Sequence, residues 1–291
     1  MKYLDENVAK INYLNAYERG LTLWPLPYSL NYVKTSFGST HIIDSGDKAK
    51  QPLLLLHGGS MSSTMWYPNV LYWSKHYRVI CIDILGDKNK SIPKKPFINR
   101  ESYSVWLKEV MDSLQIEKAS LVGLSYGALH ALNFALHFPN RLNRVVLMSP
   151  AESFLSFKPE FYSYAFGMVQ NEEGVDQFLD WIFANRYRLD EKMKSQLVAG
   201  MMWVEKDRDT KPKDNGFPYV FTDKELTSVQ VPILLLIGEH EVMYNPIEAL
   251  ERAKRFVPQL TAELIAGVGH LMSMEKPELI NKRVLSFLTS E

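Results

Sequence analysis

The stretch ASLVGLSYGALHALNFALHFP, residues 119–139, changes character at its centre. Before Gly123 it is a short apolar run rich in β-formers; after Gly127 the apolar residues recur at helical spacing until Pro139 ends the pattern. Between the two lies Gly123-Leu124-Ser125-Tyr126-Gly127, a G-x-S-x-G pattern placed where a strand must double back into a helix. Such a turn needs flanking residues without bulk, and Gly123, Gly127 and Ala128 meet that need. A serine on it stands exposed at a strand end, beside the free N–H groups and partial positive charge of the next helix. The other reading is a tight turn with an incidental serine.

Outward from this stretch, short apolar runs alternate with helical patterns. Residues 28–44 predict two strands around the turn FGST; PLLLLHGG (52–59), YRVICID (77–83), RLNRVVLMSP (141–150), VPILLLIG (231–238) and LTAELIAGVGH (260–270) predict the rest. Val105, Trp106, Val110, Met111 and Leu114 fall at helical spacing, and KPELINKRVLSFL closes the chain with an amphipathic helix. Continuous apolar strands separated by helices predict an α/β fold, with a mostly parallel sheet covered on both faces. The alternation fails over 151–227, a helical segment rich in aromatic residues and methionine that ends in the polar run KDRDTKPKDNG. We expect one domain, 1–291, with 151–227 inserted between the sixth and seventh predicted strands as a cap over the edge where ligands sit in open α/β sheets. Its aromatics can form only its own core, line a pocket, or do both.

The totals exclude several classes. A chain of 291 residues that is 46% hydrophobic, with 33 basic and 33 acidic residues, carries no net charge to recruit nucleic acid or a membrane surface. The run Lys88, Lys90, Lys94, Lys95 reads as a solvated loop. No apolar stretch reaches the length of a membrane span, and the charged amino terminus has no signal-like apolar region. The single Cys81 excludes an internal disulfide framework, so the expected location is cytoplasmic.

A serine hydroxyl needs a base, and the base must be held in one tautomer. His270, in AGVGHLMSMEKP, follows the last predicted strand on a glycine-containing loop, from which an imidazole can reach Ser125. His57 reads as a loop brace, and His41, His76, His130 and His137 as structural. The acid belongs between serine and histidine in chain order, at a strand end, where Glu152, Glu239 and Glu241 are candidates. Placement where the loop turns over the sheet favours Glu241. A Glu-His-Glu metal site at 239–241 is disfavoured, because adjacent side chains diverge and no further ligand pattern completes a shell; no metal or cofactor is expected. The oxyanion donors are expected to be the N–H of Tyr126 and that of Gly59 in HGGS (57–60), with Ser60 as the alternative.

GLSYG, HGG, GEHE and GVGH, in this order, resemble the α/β-hydrolase superfamily across nearly the whole chain. SSTMWYPN (62–69), DILGDKNKSIP (83–93), SPAESFL (149–155), NGFPYVFTDKEL (215–226) and GEHEV (238–242) resemble its serine carboxylesterases more closely. The resemblance implies Ser125 as nucleophile, His270 as base and Glu241 as acid, acting on a small-molecule ester, with Ser60 and Met61 facing the substrate. This chain departs in carrying glutamate where most of the superfamily has aspartate, and in GDKNKS (86–91), one residue longer than G-x-G-x-S spacing gives. The aromatic and methionine content of 151–227 suggests apolar or aryl-bearing acids. Other readings are C–C bond or lactone hydrolysis on the same residues, a ligand receptor with a slow triad, and an interaction protein with a dead site. Oligomeric state is not legible in the sequence.

Overall fold

The computed structural model describes residues 6–168, 171–203 and 218–290, with the side chains of 166–168 excepted. Its strands are β1 (Tyr28–Thr35), β2 (Gly38–Ser45), β3 (Pro52–Leu56), β4 (Arg78–Ile82), β5 (Ile92–Pro93), β6 (Ala119–Leu124), β7 (Leu142–Met148), β8 (Ile233–Gly238) and β9 (Leu260–Ile265). The helices are α1 (Glu6–Leu21), α2 (Tyr67–Trp73), α3 (Arg100–Ser113), α4 (Tyr126–His137), α5 (Pro159–Tyr162), α6 (Glu172–Phe183), α7 (Glu191–Met202), α8 (Asp223–Thr227), α9 (Pro246–Phe256), α10 (Met272–Glu275) and α11 (Pro277–Thr289). The sheet runs β1-β2-β4-β3-β6-β7-β8-β9, with β5 paired to β2. β1, β2 and β4 are joined antiparallel, and from β4 to β9 every pair is parallel. Successive side chains of a strand point to opposite faces, so the consecutive burial of Leu53 to Leu56 and of Ile233 to Ile237 means that helices cover both faces.

Two elements were not anticipated. β5 is only two residues long, one a proline, and pairs with Gly38 and Ser39; it shifts the predicted fifth to eighth strands to β6–β9. The second is α1, which packs through Ala9, Tyr13, Ala16, Tyr17 and Gly20 and makes many of its contacts with α7. In the run at 88–95, Lys94 and Lys95 are exposed as a solvated loop requires, whereas Lys88 and Lys90 are not. Lys88 is buried with its ammonium 4.6 Å from the centre of the Trp203 ring, and Lys90 pairs with Glu18 and lies 4.6 Å over the Tyr17 ring.

Helices α5 to α8 lie between β7 and β8 and reach the loops at the carboxyl ends of the strands. The Lys158 N–H donates to the Met243 carbonyl at 2.7 Å, beyond β8. Arg186 Nε meets Glu275 at 3.3 Å, beyond β9, and Gln196 reaches the turn beyond β3. Phe154, Phe178, Phe183 and Trp203 are buried in the common core, whereas Phe157, Phe161, Tyr164 and Trp181 are half-buried. Tyr164 and Trp181 stack at 4.7 Å. The Phe166 side chain and the polar run 206–216 lie outside the described residues. No described helix is long and apolar enough to cross a membrane.

Candidate active site

Ser125 occupies the turn between β6 and α4 with φ 54° and ψ −115°. That positive φ is strained for a side chain with a Cβ, and the neighbourhood holds it. The Ser125 N–H donates to the Met148 carbonyl at 2.9 Å, while its own carbonyl accepts from Ala128, Leu129 and Ala151. A Cβ on Gly123 would lie 2.3 Å from the Gly127 carbonyl oxygen, and one on Gly127 would lie 2.1 Å from that of Leu56. Both glycines are therefore steric requirements of the turn. Serine is a favoured helix N-cap, yet Ser125 stands at that position without its hydroxyl capping α4.

His270 and Glu241 come together from separate loops. The 266–270 segment folds back over the end of β8, where a Cβ on Gly238 would meet the Gly269 carbonyl oxygen at 2.5 Å. The His240 N–H donates to the Val268 carbonyl, and Glu275 accepts the Gly269 N–H at 3.1 Å while Arg186 holds Glu275. In this frame His270 Nδ1 lies 2.7 Å from Glu241 Oε2, both side chains being almost fully buried. An ionised carboxylate only accepts, so Nδ1 carries the proton and Nε2 presents its lone pair. Among the described residues Nε2 has no hydrogen-bond partner. Glu241 Oε1 accepts from the Met243 N–H at 2.9 Å. Burial pushes the Glu241 carboxyl up, but the His270 ring and the Met243 N–H outweigh it and hold the acid below its ordinary value.

The other two acids are engaged elsewhere. Glu152 Oε1 accepts from the Tyr162 hydroxyl at 3.0 Å, and the exposed Glu239 accepts the Gly267 N–H at 2.9 Å. Glu239 and Glu241 thus diverge, and among the described residues no three His, Cys, Asp or Glu side chains converge as metal ligands would.

The HGGS turn lies against the serine. A Cβ built on Gly58 would stand 3.7 Å from that of Ser125, and one on Gly59 3.6 Å from that of Tyr126. Ser60, at φ 60°, gives its N–H to Asp87 Oδ2 at 3.0 Å, whereas the Gly59 N–H has no partner among the described residues. Of the two expected donors at this turn, Gly59 is the one left uncommitted. Met61 is buried in the core, its N–H donating to the Gly58 carbonyl at 3.1 Å. Beside Tyr126, at 4.4 Å between ring centres, sits His130, which burial pushes down to about 3 and so keeps neutral.

Two further histidines brace the turn. His57 Nε2 accepts the Ile84 N–H at 2.9 Å, which leaves Nδ1 to donate to the Gly58 carbonyl at 2.8 Å. His41 Nδ1 lies 2.9 Å from Asp83 Oδ2, whose other oxygen accepts the Ser63 N–H at 2.8 Å. Tyr17, from α1, also donates to Asp83, at 3.0 Å. Burial pushes the Asp83 carboxyl up, but His41 and the Ser63 N–H outweigh it and hold the acid below its ordinary value. Sequence reasoning missed Tyr13, Tyr17, Asp83 and Gln196 as supports of this turn. For the tyrosines the spacing Ala9-Tyr13-Ala16-Tyr17-Gly20 was the available signal.

Comparison with known proteins gives a consistent family. Residues 51–277 match the family model described as alpha/beta hydrolase fold. Carboxylesterase YbfK of Bacillus subtilis (strain 168) is 49% identical over 96% of this chain and 94% of its own length. The crystal structure of naproxen esterase (carboxylesterase NP) from Bacillus subtilis superposes with a TM-score of 0.92 at 48% identity, covering 96% of this chain and 98% of that one. A meta-cleavage product hydrolase from Pseudomonas fluorescens IP01, at 21% identity and a TM-score of 0.75, shares the fold over 89% of this chain and 97% of its own.

Proposed function

The chain belongs to the α/β-hydrolase fold family, and on that premise we propose that it is a serine carboxylesterase working through Ser125, His270 and Glu241. The observation that carries this reading is the buried 2.7 Å Glu241–His270 pair, with the imidazole Nε2 uncommitted at the same sheet edge as the uncapped hydroxyl of Ser125. Ser125 Oγ attacks the ester carbonyl as His270 Nε2 takes its proton, and Glu241 stabilises the imidazolium that forms. The N–H groups of Gly59 and Tyr126 receive the oxyanion of the tetrahedral intermediate. His270 returns its proton to the departing alcohol, and a water activated by the same nitrogen releases the acid from the acyl-enzyme.

The segment 151–227 is the cap of a single domain, a reading supported by its hydrogen bonds to the loops beyond β3, β8 and β9. Its half-buried rings favour apolar or aryl-bearing acids among small ester substrates, with Ser60 and Met61 on the substrate side of the turn. The chain needs no metal or organic cofactor for this chemistry and has no charge pattern for nucleic acid. A single cysteine, the buried Cys81, suits a cytoplasmic protein.

Turnover of a p-nitrophenyl ester tests the reading. The wild-type protein is expected to turn over many equivalents after an acyl-enzyme burst, and Ser125→Ala to lose the activity. Stoichiometric binding without turnover would instead favour a receptor, and undiminished turnover by Ser125→Ala would remove the serine from the mechanism.

A further inference from the structure

Gln196, on α7, buries its amide between α1 and the turn beyond β3, with 3% of the residue exposed. Its partners fix where each proton goes. The Tyr13 hydroxyl donates to the Lys88 carbonyl at 2.6 Å, so its oxygen accepts from Gln196 Nε2 at 3.3 Å. The Thr64 hydroxyl donates to Gln196 Oε1 at 2.9 Å. Ser62 is therefore the donor in the 2.9 Å contact between the two hydroxyls, and it accepts from Gln196 Nε2 at 2.6 Å. The protons thus run in a closed ring from Gln196 to Ser62 to Thr64 and back, with a spur through Tyr13 to Lys88. Two N–H donors and an acceptor on one carbon are needed to complete it. A carboxylate supplies no donor, and an aliphatic side chain supplies neither.

The ring closes on the turn that presents Gly59. Ser62 and Thr64 flank Ser63, whose N–H is tied to Asp83, and the Ser60 N–H is tied to Asp87. Two glycines let the helices approach closely enough. A Cβ on Gly20 of α1 would fall 2.5 Å from Gln196 Oε1, and one on Gly200 of α7 would fall 3.2 Å from the Tyr13 ring and 3.6 Å from the Ser60 carbonyl oxygen. Helix α7 therefore passes directly over the residue that follows Gly59.

We propose that Gln196 is a positioning residue for the Gly59 oxyanion donor, so that the inserted segment sets the rate of the chemical step through the turn beyond β3. This rests on the esterase reading above. A displaced oxyanion donor weakens the transition state more than the ground state, so the effect falls on kcat rather than KM.

The test uses Gln196→Leu, Gln196→Glu and Gly20→Ala in the full chain. Alanine is favoured inside a helix, and at Gly20 its methyl group displaces Gln196 Oε1 without altering the turn itself. Initial rates on a p-nitrophenyl ester are read beside inhibition by phenylboronic acid, which forms a tetrahedral adduct on the nucleophilic serine and calls on the same donors. Thermal midpoints by circular dichroism report folding. The expected result is at least a tenfold fall in kcat, a KM within twofold, and boronate affinity weakened in proportion to kcat/KM. Should Gln196→Leu not fold, Gly20→Ala carries the same expectation. Unchanged kcat in a folded variant, or a raised KM with kcat intact, would overturn the proposal. Failure of the esterase reading is distinct, because then the wild-type protein itself would show no turnover, or Ser125→Ala would keep it.

Discussion

Glutamate at 241 adds a methylene to the aspartate usual in such a loop, and the local chain absorbs it. Tying Oε1 to the Met243 N–H fixes the longer side chain and leaves Oε2 facing His270. Glu241→Gln keeps the shape but removes the charge that fixes the His270 tautomer and, in the proposed mechanism, stabilises the imidazolium. We expect kcat to fall by about 10³–10⁴-fold, with Glu152→Gln and Glu239→Gln staying within about threefold because their carboxylates serve Tyr162 and Gly267. Steady-state kinetics on one ester decides the matter. Gly127→Ala is expected to destabilise by at least about 3 kcal/mol, read as a lowered denaturant midpoint, since the added methyl would meet backbone rather than a yielding side chain. Ser125, Glu241 and His270 could be singled out in the sequence because each follows a strand end at a position that triad chemistry would prescribe. Gln196 could not, because nothing local distinguishes a solvent-facing helical glutamine from one whose partners lie on other elements.

Among the elements, β3, β4, β6, β7 and β8 were readable because four or more consecutive buried positions leave a continuous apolar run. β5 leaves none: Ile92 is exposed and its neighbour is proline. α1 was missed for a different reason. Val8 and Ile11 face solvent while Tyr13 and Tyr17, each with a polar tip, face inward, so apolar residues lie on both sides and the stripe is blurred. Those tips are where its contribution lies. Tyr17→Phe removes a donor to the buried Asp83 carboxylate and is expected to cost about 1.5–3 kcal/mol. Urea unfolding should show the loss, and it should be larger than that of Tyr32→Phe, on an exposed strand face.

For the molecule as a whole, Asp83 and Glu241 make stability depend on acid in a definite sense. Both are held below their ordinary values of 3.8 and 4.5, so as pH falls the unfolded chain takes up protons first. Their contribution is complete above about pH 6 and is lost as pH drops through the ordinary carboxylate range and on through the lower folded values. Urea midpoints measured from pH 7 to pH 3 should fall along that limb, and Asp83→Asn should start lower and fall less steeply. The sheet order adds a consequence of another kind. Ser125 leaves β6, but its proposed base, His270, arrives only after β9, half the chain later, beyond the outermost strand of a parallel series whose pairings are all long-range. Long-range pairings form late in folding, and no partial product of synthesis or refolding that lacks the final strand can assemble the reactive set. A nascent or half-folded chain is therefore chemically silent, and the return of ester turnover after dilution from urea times the docking of the last strand.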